Sequence, residues 1–246
     1  MHRYQVLIEY VGTNFIGWQI QQKGQTIQGI IEVKLSNLLN EEIRLFGSGR
    51  TDSGVHAIAQ SAHFDTKRKI HDLVKFLKSI NHFVNKKDIS ILKIKKKNLN
   101  FHARFSAKQR IYKYIIFNRL STPSIEKKRG WHISKKLDIN LMKKGAKKLL
   151  GTKDFSTFRS SNCNAKSPIK TMKSIKIKST KDKIEIQFKS QSFLQQQVRS
   201  MVGCLIYLGL GNWNIKDFKK SFKSKNRTKC APPAPSCGLY LKKISY

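Results

Sequence analysis

GSGRTDSGVHA, residues 47–57, carries one carboxylate, Asp52, between Arg50 and Gly54 in a chain that is otherwise strongly basic. Glycines at 47, 49 and 54 permit positive backbone angles and close approach of a ligand, and Asp and Ser suit tight turns, so the stretch predicts an exposed, rigid loop. A guanidinium two residues before the carboxylate favours its ionised form and can hold it through a bidentate pair. Most aspartates in glycine-rich turns only form the turn. The meaning of this one therefore depends on what surrounds it.

Outward from the loop, hydrophobic periodicity alternates between strand and helix. MHRYQVLIEYV at the start alternates like a strand, and Ile27, Ile30, Ile31, Leu35, Leu38 and Leu39 then recur at helical spacing, with Thr26 placed to cap and Asn40 to stop. Residues 57–64 look extended, Leu73, Phe76, Leu77 and Ile80 mark a second helix, and 89–94 look extended again. In the second half Asp138 precedes a helix carrying Leu141, Met142, Leu149 and Leu150. MKSIKIKS and KIEIQFKS flank a TKDK turn as a hairpin, and Leu194, Val198, Met201 and Leu205 define another helix face. Helices mixed with hairpin-joined strands predict an α+β fold with largely antiparallel sheet. The expected boundary follows the lysine-rich KIKKKN at 93–98, giving an N-terminal subdomain over 1–106 and a C-terminal one over 107–246.

Composition narrows the partners. Lys and Arg number 50 against 14 Asp and Glu, a formal charge of +36 over 246 residues with a pI near 10.3. Such a surface attracts a polyanion, with binding that weakens steeply as salt rises. The excess is mostly lysine, which AT-rich coding DNA also produces, so charge supports nucleic-acid binding without identifying the nucleic acid. Lysine runs at 67–69, 86–87, 95–97, 127–129 and 147–148 are candidates for that surface. The opening segment lacks the apolar stretch and cleavage site of a signal peptide, and MVGCLIYLGLG at 201–211 is too short to span a bilayer. The expectation is a cytoplasmic protein without a membrane anchor. Cys163, Cys204, Cys230 and Cys237 form no CxxC pair, and His56 and His63 have no acids at metal spacing, so neither zinc nor a disulfide framework is expected.

Five blocks give the loop its context. YVGTNFIGWQ at 10–19, GRTDSGVHA at 49–57, FHARFSAKQRIYKYII at 101–116, FLQQQVRSMVG at 193–203 and GLYL at 238–241 together closely resemble the tRNA pseudouridine synthase A family, in that family's order and over nearly the whole chain. The resemblance implies two similar α/β subdomains with their sheets side by side and an active-site cleft between them. It implies an isomerase converting uridine to pseudouridine at tRNA positions 38, 39 and 40, acting as a homodimer without cofactor or metal. The reaction breaks the bond from C1′ to N1, turns the uracil while it stays bound, and rejoins C1′ to C5. It needs a carboxylate beside an everted nucleotide and a closed, largely apolar pocket.

By block position Asp52 is the catalytic carboxylate. Tyr112, which alternation places on one strand face with Arg110 and Tyr114, corresponds to the tyrosine that stacks on the target base and is a candidate base for the C5 proton. Arg199 corresponds to an arginine that reaches the carboxylate, with Gln195 and Gly203 one helical turn away on either side. Arg50 is favoured as the side chain that takes the flipped base's place, and Leu239 supplies a second apolar wall. Without the resemblance, Tyr112 and Leu239 read as ordinary packing residues and Arg199 as a solvent-facing arginine. Phe15 and Trp18 suit either base stacking or packing of their loop. The chain departs from the family pattern at INHFVNKKD, 80–88, at Gln197, where Met is usual, and at APPAPSC before GLYL. A catalytically silent tRNA chaperone would share the basic surface but leaves Asp52, Tyr112 and Arg199 together unexplained. A metal-dependent nuclease is disfavoured by the scatter of the acids.

Overall fold

A computed structural model describes residues 1–246. Ten strands and five α-helices follow in the order β1 (His2–Tyr10), α1 (Ile27–Leu39), β2 (Phe46–Gly47), β3 (His56–Thr66), α2 (Leu73–Val84), β4 (Ile89–Lys97), β5 (Gln109–Asn118), β6 (Trp131–Ile133), α3 (Ile139–Lys148), β7 (Gly151–Asp154), β8 (Ile169–Ser179), β9 (Lys183–Ser190), α4 (Gln197–Gly209), α5 (Ile215–Lys223) and β10 (Leu239–Ser245). The architecture is α+β with mostly antiparallel pairing, as expected. Residues group into two units, Met1–Lys108 with Tyr240–Tyr246, and Gln109–Leu239. A cut in sequence order leaves 240–246 with the second half. In space they lie with the first, because β10 pairs in parallel with β3, Tyr240 opposite His56 and Leu241 opposite Ala57.

In the first unit β1 runs antiparallel to both β3 and β4, and β2 adds to β3 through Phe46 opposite His63. Strict alternation buries Tyr4, Val6, Ile8 and Tyr10 of β1, while α1 buries Ile27, Ile31, Leu35 and Leu39 at helical spacing. Thr26 caps α1 by accepting from the Gly29 N–H at 3.2 Å, and Asn40 ends it in the left-handed region at φ 50°. Helix α2, capped by Asp72, continues through the divergent INHFV segment to Val84. Asn81 anchors this segment. Its side-chain amide donates to the Ile91 carbonyl at 2.9 Å and its carbonyl accepts from the Ile91 N–H at 2.7 Å, tying α2 to β4.

The second unit pairs β5, β9, β8 and β7 in antiparallel order, with β6 parallel to β5. The β8–β9 hairpin closes through the Thr180 N–H on the Lys183 carbonyl at 2.9 Å. Helices α3, α4 and α5 pack together, burying Met142, Ala146, Leu205, Leu208 and Phe218. Asp138 caps α3, which ends at Lys148, so Leu149 and Leu150 follow the helix rather than belong to it. MVGCLIYLGLG covers the mostly buried C-terminal part of α4 and the two residues after it, and no helix is long and apolar enough to cross a membrane. Helix α5 was not anticipated from periodicity. Its signal is the capping box Asn214–Asp217, in which each side chain accepts from the other's end of the turn.

Candidate active site

Asp52 is presented by a loop whose backbone is fixed from several sides. The Trp18 N–H donates to the Thr51 carbonyl at 3.0 Å, and the Val55 N–H closes on the Asp52 carbonyl at 3.2 Å. Gly17 and Asp52 form an isolated antiparallel bridge. Beside them the buried Thr51 hydroxyl shares a 2.8 Å hydrogen bond with Tyr10, Ser53 Oγ donates to the Phe15 carbonyl at 3.1 Å, and Gln60 Nε2 donates to the Gly49 carbonyl at 2.6 Å. Asp52 is half-buried and Arg50 is exposed.

Two glycines of the 10–19 block make this arrangement possible. Gly17 has φ +121°, and a Cβ there would stand 2.7 Å from the Thr51 carbonyl oxygen. At Gly12 a Cβ would stand 2.0 Å from the Val55 carbonyl oxygen, a distance no side chain tolerates. The Gly12 N–H donates to His56 Nδ1 at 3.0 Å, and the His56 ring stacks on Tyr240 at 4.7 Å. Phe15 and Trp18 are buried, which makes them packing residues of this loop rather than exposed base stackers. Sequence reading missed Tyr10, Thr51 and Gln60 as loop supports. No local signal marks them, since Tyr10 and Thr51 pair across 41 positions and Gln60 reaches a backbone carbonyl 11 positions away.

In the second unit Tyr112 sits on β5 opposite Phe188 of β9, buried, with its ring edge-on to Phe193 at 5.1 Å. Arg199 lies in the first turn of α4, half-buried. Its Nε donates to the Ala234 carbonyl at 2.7 Å, while the Ala234 N–H donates to the Arg199 carbonyl at 3.0 Å. The room left by Gly203 is filled by backbone: a Cβ there would stand 2.0 Å from the Pro232 carbonyl oxygen. Thus the unusual APPAP segment is laid along α4, where it orients the arginine. It is also held from β5, by the Tyr114 hydroxyl donating to the Pro235 carbonyl at 2.7 Å. Burial of that hydroxyl keeps Tyr114 protonated, its pKa pushed far above the usual tyrosine range.

One expected neighbour of Arg199 differs. Gln195 precedes α4, which begins at Gln197, and Gln196 takes a left-handed conformation at φ 60°. Gln197, fully buried, accepts from the Leu194 N–H at 2.8 Å and so closes the tight entry into the helix, a bond that methionine cannot make. Leu239 is buried at the start of β10.

Charge is organised in two ways. Arg3 pairs with Asp65 through two 2.7 Å hydrogen bonds, and this holds the Asp65 carboxyl below the usual range. Nearby His63 accepts from the Ala103 N–H at 3.2 Å, and burial followed by the charge of Arg3 pushes its pKa down to about 4. The lysine runs, by contrast, stand almost wholly in solvent. No group of three or more His, Cys, Asp or Glu side chains gathers as a metal site.

The chain belongs to the tRNA pseudouridine synthase family, a class of isomerases, whose family model matches residues 6–106 and 146–246. It is 72% identical over 246 residues to the tRNA pseudouridine synthase A of Pelagibacter ubique, covering all of both chains. It is 41% identical over 247 residues to the tRNA pseudouridine synthase A of Xanthobacter autotrophicus, again covering all of both. The protein of the same name from Caulobacter vibrioides is 38% identical over 246 residues, covering 100% of this chain and 99% of that one.

Proposed function

We propose that this chain converts uridine to pseudouridine in tRNA, at positions 38, 39 and 40 of the anticodon stem-loop, with Asp52 as nucleophile on a flipped-out nucleotide and without metal or cofactor. The observation that carries the reading is a half-buried aspartate on a backbone-pinned GRTD loop in a chain of this family. The reaction exchanges one bond of C1′ for another with no change of redox state. A carboxylate oxygen, adding to uracil C6 or assisting at C1′, is the chemical help it needs. A rigid loop suits that task, because the oxygen is positioned before the nucleotide arrives.

Tyr112 and Leu239 serve as apolar walls for the uracil, with Tyr112 also the base for the C5 proton. Arg199 acts with the carboxylate, and Arg50 takes the place of the everted base. Support for these roles is the match of each residue to its block, together with the preset orientation of the Arg199 guanidinium by Ala234. Three adjacent stem positions lie at different distances along the RNA, so recognition rests on tRNA shape and phosphate charge more than on sequence. The exposed lysine runs supply the positive charge. The homodimer follows from the resemblance alone.

The test is release of tritium from C5-labelled uridine in transcribed tRNA by the purified protein in a chelator, with product positions mapped. Wild type should release tritium and place pseudouridine at positions 38–40, and Asp52→Asn should bind tRNA without releasing tritium. Full turnover by the Asn variant, or turnover that needs added metal, would overturn the proposal.

A further inference from the structure

Cys204 and Cys230 are 26 positions apart, yet their sulfurs lie 3.5 Å from each other. Cys204 is buried on α4, whereas Cys230 ends the short 3-10 turn Arg227–Lys229 and is half-exposed. The proposed isomerisation uses neither. Both flanks of Cys230 are anchored. Before it, Arg227 Nη1 donates to Ser200 Oγ of α4 at 2.6 Å, and Ser221 Oγ donates to the Lys229 carbonyl at 2.7 Å. After it, residues 231–234 lie along α4 through the close approach at Gly203 and the Ala234 hydrogen bonds. Proximity of the two thiols is therefore fixed by the fold.

We propose that Cys204 and Cys230 form a redox-active dithiol that closes to an intramolecular disulfide when hydrogen peroxide is the oxidant. The two sulfurs are unequal. The hydrogen bond with Cys204, helped by the charge of Arg227, makes the Cys230 thiol more acidic than usual, and the same hydrogen bond together with burial makes Cys204 less so. Cys230 thus attacks first. Its thiolate takes the terminal oxygen of the peroxide, the O–O bond breaks, and Cys230 becomes a sulfenic acid with release of hydroxide. The Cys204 sulfur then displaces the sulfenic oxygen, which leaves as water with the thiol proton. Two thiols lose two electrons in all, and the peroxide is reduced to two waters. Closure needs the sulfurs to approach by roughly 1.5 Å, from contact to bonding distance. A side-chain rotation at the half-exposed Cys230 supplies it.

The experiment uses the full-length protein carrying Cys163→Ser and Cys237→Ser, treated with a small excess of hydrogen peroxide and followed by intact mass and thiol titration. The expected result is a monomer about 2 Da lighter with both thiols lost together and restored by dithiothreitol. Adding Cys204→Ser should instead leave a dimedone-reactive sulfenic acid at Cys230. Peptide mapping of oxidised wild type gives the same answer without substitutions: a peptide linking 204 to 230 is expected. Two thiols surviving treatment, oxygen gain without the mass loss, or a disulfide using Cys163 or Cys237 would each overturn the assignment.

Discussion

The Asp52 loop and the Arg199 helix solve one problem, the placement of a charged group, by opposite means. At the loop the main chain is fixed. Bonds from Trp18 and Val55, with the bridge between Gly17 and Asp52, hold the backbone on both sides of Asp52, and buried hydroxyl and amide groups of Tyr10, Thr51 and Gln60 support it. At the helix the side chain is fixed as well, because the Arg199 guanidinium donates directly to the Ala234 carbonyl. A short aspartate has only two rotatable bonds, Cα–Cβ and Cβ–Cγ, so pinning the backbone leaves its oxygens few positions. Arginine's long stem leaves its head undetermined unless something grips it. Both devices depend on a glycine where a second backbone passes, Gly12 beneath Val55 and Gly203 beneath Pro232.

The largest expected effect separates chemistry from support. Asp52→Asn should lower the rate of tritium release by at least about 10³-fold, roughly 4 kcal/mol of barrier, while the melting temperature and tRNA affinity stay near wild type. A comparable loss of folding stability in this variant would make Asp52 a structural residue and erase the contrast. Next come the two glycines. Each of Gly12→Ala and Gly203→Ala should cost about 3 kcal/mol, and lower the melting temperature by roughly 6–12 °C, because the obstacle is backbone that cannot step aside. Thermal melts by circular dichroism check this, and an unchanged melt for either would remove the shared device.

A smaller effect belongs to the first unit and depends on pH. His63 has its folded pKa near 4, below the ordinary 6.5, so the unfolded chain takes up the proton first. Its contribution is fully present above about pH 6.5 and is lost as pH falls toward 4, by about 2 kcal/mol once the full linkage value of about 3 kcal/mol is reduced by solvent screening of the ring. Denaturant titrations across that window should show the loss, and His63→Asn should flatten it. The smallest change is Tyr10→Phe, which deletes one hydroxyl from Thr51. A cost of about 1 kcal/mol is expected, together with a fall in kcat larger than any rise in KM, since the loop that positions Asp52 loosens while the RNA-binding surface is untouched. Equal shifts in both would count against the loop's role in positioning.

Local rules made the caps legible. Thr26, Asn40 and Asp138 act at the ends predicted for them, since a helix terminus needs partners within three or four residues. The β8–β9 hairpin was equally readable, because alternation and a polar turn are local. Misjudged points were a tight turn that hydrophobic periodicity does not register and a loop whose packing depends on distant chain. Periodicity placed Leu194 on the α4 face, but Gln197 closes a turn there and starts the helix later. Phe15 and Trp18 could not be sorted between stacking and packing until the loop they lie under was in place.

By itself the sequence determined the mixed helix and strand content, the ordered blocks that define the family, and Asp52 as the carboxylate worth testing, because these depend on residue type and on spacing along the chain. Only the tertiary structure decided that the last strand returns to β3, that Pro232 passes over Gly203 to set Arg199, and that Cys204 meets Cys230. Such contacts join residues far apart in sequence, and their geometry is set by how whole elements pack, which no local pattern encodes.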